Sequence, residues 1–373
     1  MTYKALVRPS VLTQPTYQPG KPIEAVAREL GLDPATVLKL ASNENPLGPS
    51  PLAIVAVRER LHQCHLYPDG SCFELRGQLA AFHDLGADQF IVGNGSNEIM
   101  VLLAQAFLQP GDEVVFGSQA FIVYHLATLL CGATPVAVPM PEFRHDLDAL
   151  LNAITERTKL VFLPSPNNPT GTANSAEEID AFVEKLPEHV IFCFDEAYAE
   201  YLENSPDLRP FIRSGKKVFC TRTFSKIYGL AGLRIGYGYG SVELIQLLNQ
   251  VRQPFNVNSL AQTAAIAALR DVEFVVRSRE TNQKGYQQLT TGLARLKLKT
   301  FPSAANFIIL EVENALKIFE GLQQDGIIVR PLQPYSMPNH LRISIGTPSQ
   351  NNLLLQALER MLSGSLRACL IKE

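Results

Sequence analysis

A lysine amine attacks an aldehyde only when it is unprotonated, and burial beside other cations lowers its pKa toward that state. Lys226 lies in Thr223-Phe224-Ser225-Lys226-Ile227-Tyr228-Gly229-Leu230-Ala231-Gly232-Leu233-Arg234, among small and hydroxylated residues and ahead of an arginine. Schiff-base chemistry suits that setting, with a surface lysine as the plain alternative. A second group is Phe194-Asp195-Glu196-Ala197-Tyr198. A carboxylate at the mouth of a strand can pair with a protonated pyridine nitrogen and keep the ring an electron sink, while Tyr198 could bond a phenolic oxygen on the same ring. Otherwise Asp195 caps a helix and Tyr198 packs.

Two loops complete the chemical inventory. Pro164-Ser165-Pro166-Asn167-Asn168-Pro169-Thr170-Gly171 is a turn that prolines make rigid, able to hold one amide against a ligand oxygen. Gly93-Asn94-Gly95-Ser96-Asn97-Glu98 opens an apolar helix, and glycines there leave backbone N–H groups free for a phosphate. That loop has neither the P-loop spacing nor GxGxxG.

These groups need a frame. Short β-branched and aromatic runs occur at Glu113–Phe116, Pro135–Val138, Leu160–Leu163, Val190–Phe194 and Lys217–Cys220. Helical candidates lie between them at Asn97–Leu108, Phe121–Leu130 and Ala176–Leu186. Alternation of this kind predicts an α/β fold with a mostly parallel sheet covered on both faces, binding its ligand beyond the carboxyl ends of the strands. After about Gln253 the pattern becomes α+β, with a long helical stretch over Asn258–Leu296 and strands at Phe307–Leu310, Ile327–Val329 and Leu341–Ile345. The expected division is a large domain over residues 45–255 and a small one from 1–44 and 256–373. The small one carries an amino-terminal arm and the bridging helix.

Composition excludes several classes. With 373 residues, 46% hydrophobic and 18% charged, the chain is long enough for two cores and is neither disordered nor membrane-like. Thirty-six acidic against 33 basic residues, with no basic run interleaved with aromatics, make nucleic acid an unexpected partner. Met1 to Gly20 holds no continuous apolar stretch, so neither a signal peptide nor an anchor is expected, and the cytoplasm is the expected location. The six cysteines contain no CxxC pair and read as reduced thiols. His62 and His65 find no second pair, so no metal site is expected.

In this order, each after a strand-like run, the phosphate loop, the Asn turn, the Asp-x-x-Tyr and the Ser-Lys followed by Arg resemble the fold-type I pyridoxal-phosphate-dependent aminotransferases over almost the whole chain. Within that superfamily the chain is similar to the histidinol-phosphate aminotransferases. The segments concerned are Tyr17-Gln18-Pro19-Gly20-Lys21-Pro22, Leu40-Ala41-Ser42-Asn43-Glu44-Asn45-Pro46-Leu47-Gly48, Tyr67-Pro68-Asp69, Ile328-Val329-Arg330-Pro331 and Leu341-Arg342-Ile343-Ser344-Ile345-Gly346. Aromatic-amino-acid aminotransferases share several of them.

The resemblance implies roles residue by residue. Lys226 would hold pyridoxal 5'-phosphate as an imine and then carry the proton between the substrate's α-carbon and the cofactor's C4'. Asp195 would pair with the pyridinium nitrogen, and Tyr198 and Asn168 would hold the phenolic oxygen. Ser96, Asn97, Ser225 and Arg234 would bind the phosphate, joined by Tyr67 from the other subunit of a homodimer. Phe121 would lie against the ring, although Gln119-Ala120 stands where many relatives have a proline and a threonine, and a plain core phenylalanine is the other reading.

Arg342, with Asn168, would bind the carboxylate of glutamate and, in the other half-reaction, the phosphate of histidinol phosphate, since a guanidinium fork suits both. Arg330 and Tyr17 would add to the phosphate side. The implied reaction is L-histidinol phosphate plus 2-oxoglutarate with imidazole-acetol phosphate plus L-glutamate, a ping-pong step of histidine biosynthesis. An aromatic-amino-acid aminotransferase and a decarboxylase of a phosphorylated amino acid remain open on the same residues. A non-catalytic sensor is disfavoured by the intact set of Lys226, Asp195, Tyr198 and Asn168.

Overall fold

The computed structural model describes residues 2–16 and 20–370, with the backbone alone over 363–370. Its largest element is a seven-stranded sheet, ordered Phe90–Gly93, Gly236–Tyr239, Val218–Thr223, Ile191–Asp195, Thr158–Pro164, Glu113–Gly117 and Thr134–Val138. All strands are parallel except Gly236–Tyr239, which runs against both neighbours. Alternate residues of each strand enter different cores. Val161, Leu163, Phe192 and Phe194 pack on one face, and Leu160, Phe162, Ile191 and Cys193 on the other. A strand buried on both faces needs apolar residues at every position, which is why these runs are so continuously hydrophobic.

The helices follow local signals. Ser175 and Glu178 form a reciprocal capping box at the start of Ala176–Lys185. Gly95, at φ 83°, turns the chain into Ser96–Phe107.

The smaller unit is a four-stranded antiparallel sheet, ordered Arg330–Pro331, His340–Ser344, Phe307–Glu311 and Lys299–Thr300. Leu38–Lys39 pairs in parallel with Ile327–Ile328 beside it. Its core joins Ile308, Leu310, Leu341 and Ile343 to Leu289 and Leu293 of one helix and Leu354 and Leu358 of another.

The single long helix expected over Asn258–Leu296 is instead two, Ser259–Leu269 and Val272–Arg295. Asp271 ends the continuity. Its carboxylate accepts from the Phe274 N–H at 3.3 Å and from the Ser50 hydroxyl at 2.6 Å, so it starts a new helix rather than extending the old one. The first helix sends Ala261, Ala264, Ala265 and Ala268 into the core of the large sheet. The second continues to the small sheet through Leu289 and Leu293.

Among the described residues no helix is long and apolar enough to cross a membrane.

Candidate active site

The carboxyl edge of the large sheet opens on a cavity of about 260 Å³. Most of its walls begin where a strand of that sheet ends. Ser96 and Asn97 come after Gly93, Phe121 after Gly117, Asn168 after Pro164, Tyr198 after Asp195, and Ser225 and Lys226 after Thr223. Arg234 closes the same cavity, and Ser42 and Glu44 reach it from the segment that joins the arm to the large unit. The expected cofactor residues are therefore brought together in one place, apart from Tyr67. Tyr67 is 84% exposed, packed at a tilt against Phe255 with ring centroids 4.9 Å apart, and does not line its own chain's cavity. Tyr17 lies outside the described residues.

The Lys226 ammonium donates to the Ser42 carbonyl at 3.0 Å and stands 5.7 Å from the centre of the Tyr198 ring. Burial lowers its pKa to about 7, helped by Arg342 and Arg234 and opposed by Glu44. A substantial share of this amine is thus free base near neutrality, the form that adds to a carbonyl.

Asp195 is 4% exposed, and all its hydrogen-bond partners are neutral: the Tyr124 hydroxyl at 2.6 Å, the Ala197 N–H at 3.2 Å and the Thr221 hydroxyl at 3.3 Å. Burial raises its carboxyl to about 6 against the pull of those bonds. A buried carboxylate held by neutral donors is the natural counter-charge for a cationic N–H presented from the cavity.

At the other end, the Arg234 guanidinium donates to Ser225 Oγ at 3.4 Å beside the start of the Ser96 helix. Ser96 and Asn97 are first-turn residues whose N–H groups have no intrahelical acceptor. Gly95 has φ 83°, where a side chain is strained, and a Cβ there would stand 2.6 Å from Arg234 Nη2, so glycine lets helix end and guanidinium share the same space. Dipole, free N–H groups and cation together make an anion cradle.

Arg342 is 7% exposed and donates to Asn168 Oδ1 and, at 2.7 Å, to the Ala41 carbonyl. Arg330 is its cross-strand partner in the small sheet. Asn167, the other amide of the turn, is fully buried and braces it by donating to the Gln119 carbonyl and Thr170 Oγ1, both at 2.8 Å. Phe121 lines the cavity and meets Tyr124 edge-on, with centroids 5.8 Å apart.

Two residues of this site escaped the sequence reading. Tyr124 looked like one more aromatic on an apolar helix, and the signal was its place one turn after Phe121 on the face turned to the strand that ends at Asp195. Asn43 counted only as part of a motif, yet its amide donates to the Tyr198 oxygen at 2.9 Å.

The family model described as aminotransferase class I and II matches residues 35–358. The chain belongs to that family. Histidinol-phosphate aminotransferase 2 of Pseudomonas fluorescens (strain Pf0-1) is 49% identical to this aminotransferase over 364 residues, 97% of this chain and 98% of that one. The histidinol-phosphate aminotransferase of Methylobacillus flagellatus is 49% identical over 348 residues, 93% of this chain and 94% of the other. Among solved structures, histidinol-phosphate aminotransferase from Sinorhizobium meliloti, in complex with pyridoxal-5'-phosphate, matches with a TM-score of 0.87 at 28% identity, covering 96% of this chain and 98% of its own. A Thermus thermophilus aspartate aminotransferase double mutant matches with a TM-score of 0.81 at 27% identity, covering 96% and 99%.

The ligand of the Sinorhizobium enzyme fits this aminotransferase's cavity group by group. The cradle that a Gly95 Cβ would fill suits a phosphate, and the Asp195 carboxylate with only neutral partners suits a ring N–H. The Lys226 amine with its lowered pKa suits an aldehyde.

Proposed function

We propose that this aminotransferase binds pyridoxal 5'-phosphate through Lys226 and interconverts L-histidinol phosphate plus 2-oxoglutarate with imidazole-acetol phosphate plus L-glutamate, a step of histidine biosynthesis in the cytoplasm. Bound there, the cofactor supplies an aldehyde and a ring that takes up electrons from the substrate's α-carbon. The protein's own groups do the rest. Lys226 moves a proton between the α-carbon and C4' of the cofactor. Asp195 holds the ring nitrogen protonated, and Asn168 and Tyr198 hold the phenolic oxygen. Ser96, Asn97, Ser225 and Arg234 anchor the phosphate, and Phe121 confines the ring.

The observation that carries the substrate is the register of the small sheet. Arg330 and Arg342 face each other across two strands, with Arg342 bonded to Asn168 at the cavity wall. One arginine serves a carboxylate, but a second beside it is worth more to a dianionic phosphate than to a monocarboxylate. Tyr17 would add a hydroxyl on the same side. The names of relatives such as those of Pseudomonas and Methylobacillus agree with a phosphorylated substrate.

The functional unit in this reading is a homodimer in which Tyr67 completes the partner subunit's phosphate site. That role accounts for a tyrosine so exposed on its own chain. The working division is a large unit over 45–255 that holds the cofactor and a small one from 1–44 and 256–373 that brings the substrate arginines.

A half-reaction tests the substrate. The loaded enzyme is mixed with L-histidinol phosphate or L-phenylalanine, the visible absorbance of the cofactor is followed, and the keto product is identified by mass. Fast bleaching with histidinol phosphate and much slower bleaching with phenylalanine is expected. Equal or faster reaction with phenylalanine would replace this reading by the aromatic one.

A further inference from the structure

Three consecutive residues between the arm and the large unit each touch a different functional side chain. The Ala41 carbonyl accepts from Arg342, the Ser42 carbonyl accepts from Lys226, and the Asn43 amide donates to Tyr198. Only the last contact uses a side chain, so only there does residue type matter directly. Asn43 is 1% exposed and has φ 56°, a left-handed backbone that asparagine tolerates better than most residues.

Its surroundings fix which way the amide faces. The Asn43 N–H donates to Ser344 Oγ at 2.8 Å, and the Ser344 hydroxyl donates to Asn43 Oδ1 at 3.2 Å. Asn306 Nδ2 donates to the Asn43 carbonyl at 2.9 Å. Turned over, the amide would offer Ser344 a second donor and leave the hydroxyl proton without its acceptor. The NH2 group therefore faces Tyr198. A phenol has one proton and its oxygen also accepts. Among the described residues the Tyr198 oxygen accepts from Asn43, and no protein group accepts its proton. The ring cannot swing away, because it is 2% exposed, packs edge-on against Phe307 at 5.3 Å between centroids, and lines the cavity.

We infer that Asn43 is a positioning residue: by occupying the acceptor side of the Tyr198 oxygen it turns the phenol's proton into the cavity, toward the phenolic oxygen of the pyridoxal ring. Ser344 lies two residues beyond Arg342 on the same strand. The small sheet that carries the substrate arginine thus also sets the polarity of a bond to the cofactor. The inference rests on pyridoxal phosphate occupying the cavity and is independent of which substrate is turned over.

The test replaces polarity and keeps shape. Asn43→Asp is isosteric and tolerates the same backbone, but an ionised carboxylate only accepts, so it would draw the Tyr198 proton away from the cavity. The readout is the pH midpoint of the visible absorption change of the loaded enzyme without substrate. A donor on the phenolic oxygen favours its anionic form, so losing the donor moves the midpoint up. Asn43→Asp should raise it by about one pH unit, as should Tyr198→Phe, and the double variant should move little further than Tyr198→Phe alone. A shift from Asn43→Asp that persists in full on the Tyr198→Phe background would overturn the inference, because the charge or a packing change would then act without the phenol.

If Asn43→Asp does not load, Asn43→Gly keeps the left-handed backbone and removes the amide. A rise on the unmutated background that vanishes with Tyr198→Phe supports the inference, and an equal rise on both overturns it. An unmutated protein with no visible band would remove the cofactor reading and this inference together. A normal band with an unshifted Asn43→Asp removes the inference alone.

Discussion

Lys226 and Asp195 depart from their ordinary pKa values in opposite directions, both chiefly through burial, which favours the neutral form of each; the cavity uses the departure of Lys226, while at Asp195 a cationic ring N–H would offset it. With the ammonium lowered to about 7, capture of pyridoxal phosphate by the apoenzyme should slow as the pH falls below about 7, since the protonated amine cannot attack. Stopped-flow absorbance between pH 5.5 and pH 9, a range chosen to span that value, measures this. A rate still rising tenfold per pH unit at pH 9, as expected of an amine with the ordinary lysine pKa of about 10.4, would show that the amine is not depressed. In the proposed function Asp195, held by the Tyr124, Thr221 and Ala197 donors, keeps the ring nitrogen protonated through its charge. Asp195→Asn keeps the shape and removes that charge. The half-reaction should slow by at least about a hundredfold, about 2.7 kcal/mol of transition-state stabilisation, with weaker retention of the cofactor. Unchanged turnover would dismiss the pairing.

At the scale of elements, Asp271 and Gly229 hold joints that the cavity depends on. Asp271→Ala removes a helix cap and the bond to Ser50, and urea unfolding should show a loss of about 1–2 kcal/mol. Gly229 has φ 70°, and a Cβ there would sit 2.1 Å from the Gly48 carbonyl oxygen. Gly229→Ala should therefore cost about 2–4 kcal/mol in the same measurement, and a neutral result would mean that the loop after Lys226 can shift.

How much of this was legible in the sequence varied with the physics of each element. The strands over Thr158–Pro164 and Ile191–Asp195 were readable from their apolar stretches Leu160–Leu163 and Val190–Phe194, because the part of a strand buried on both faces has no polar interruption. Gly236–Tyr239 was not, since its glycines mimic a loop. They are there because a Cβ on Gly236 would meet the Ser96 nitrogen at 2.4 Å and one on Gly238 the Phe219 ring at 2.3 Å. The break at Asp271 was hidden because an acidic residue in a helical run reads equally as its solvent face. Lys226, Asp195 and Asn168 stood out because each stands at or just beyond the carboxyl end of a strand. Tyr124 and Asn43 act through long-range contacts that spacing cannot announce.

In the whole molecule the site is assembled from distant parts of the chain. The large sheet supplies the cavity floor, the small sheet brings Arg342 against Asn168 of the cavity wall with Arg330 as its cross-strand partner, and the segment over Ala41–Asn43 stitches the two together. If Tyr67 serves the partner's site, neither Lys226→Ala nor Tyr67→Ala alone should be active. Co-refolding the two should restore about a quarter of normal activity per protein, because half of the dimers are mixed and each has one intact site. No recovery on mixing would confine Tyr67 to its own chain.

The most direct test of the central claim asks where the cofactor is attached. The protein is loaded with pyridoxal phosphate, reduced with borohydride, digested, and its peptides are weighed. The account predicts a single labelled peptide whose modified residue is Lys226, and no label in Lys226→Ala. Label on another lysine, or undiminished label in that variant, would contradict it.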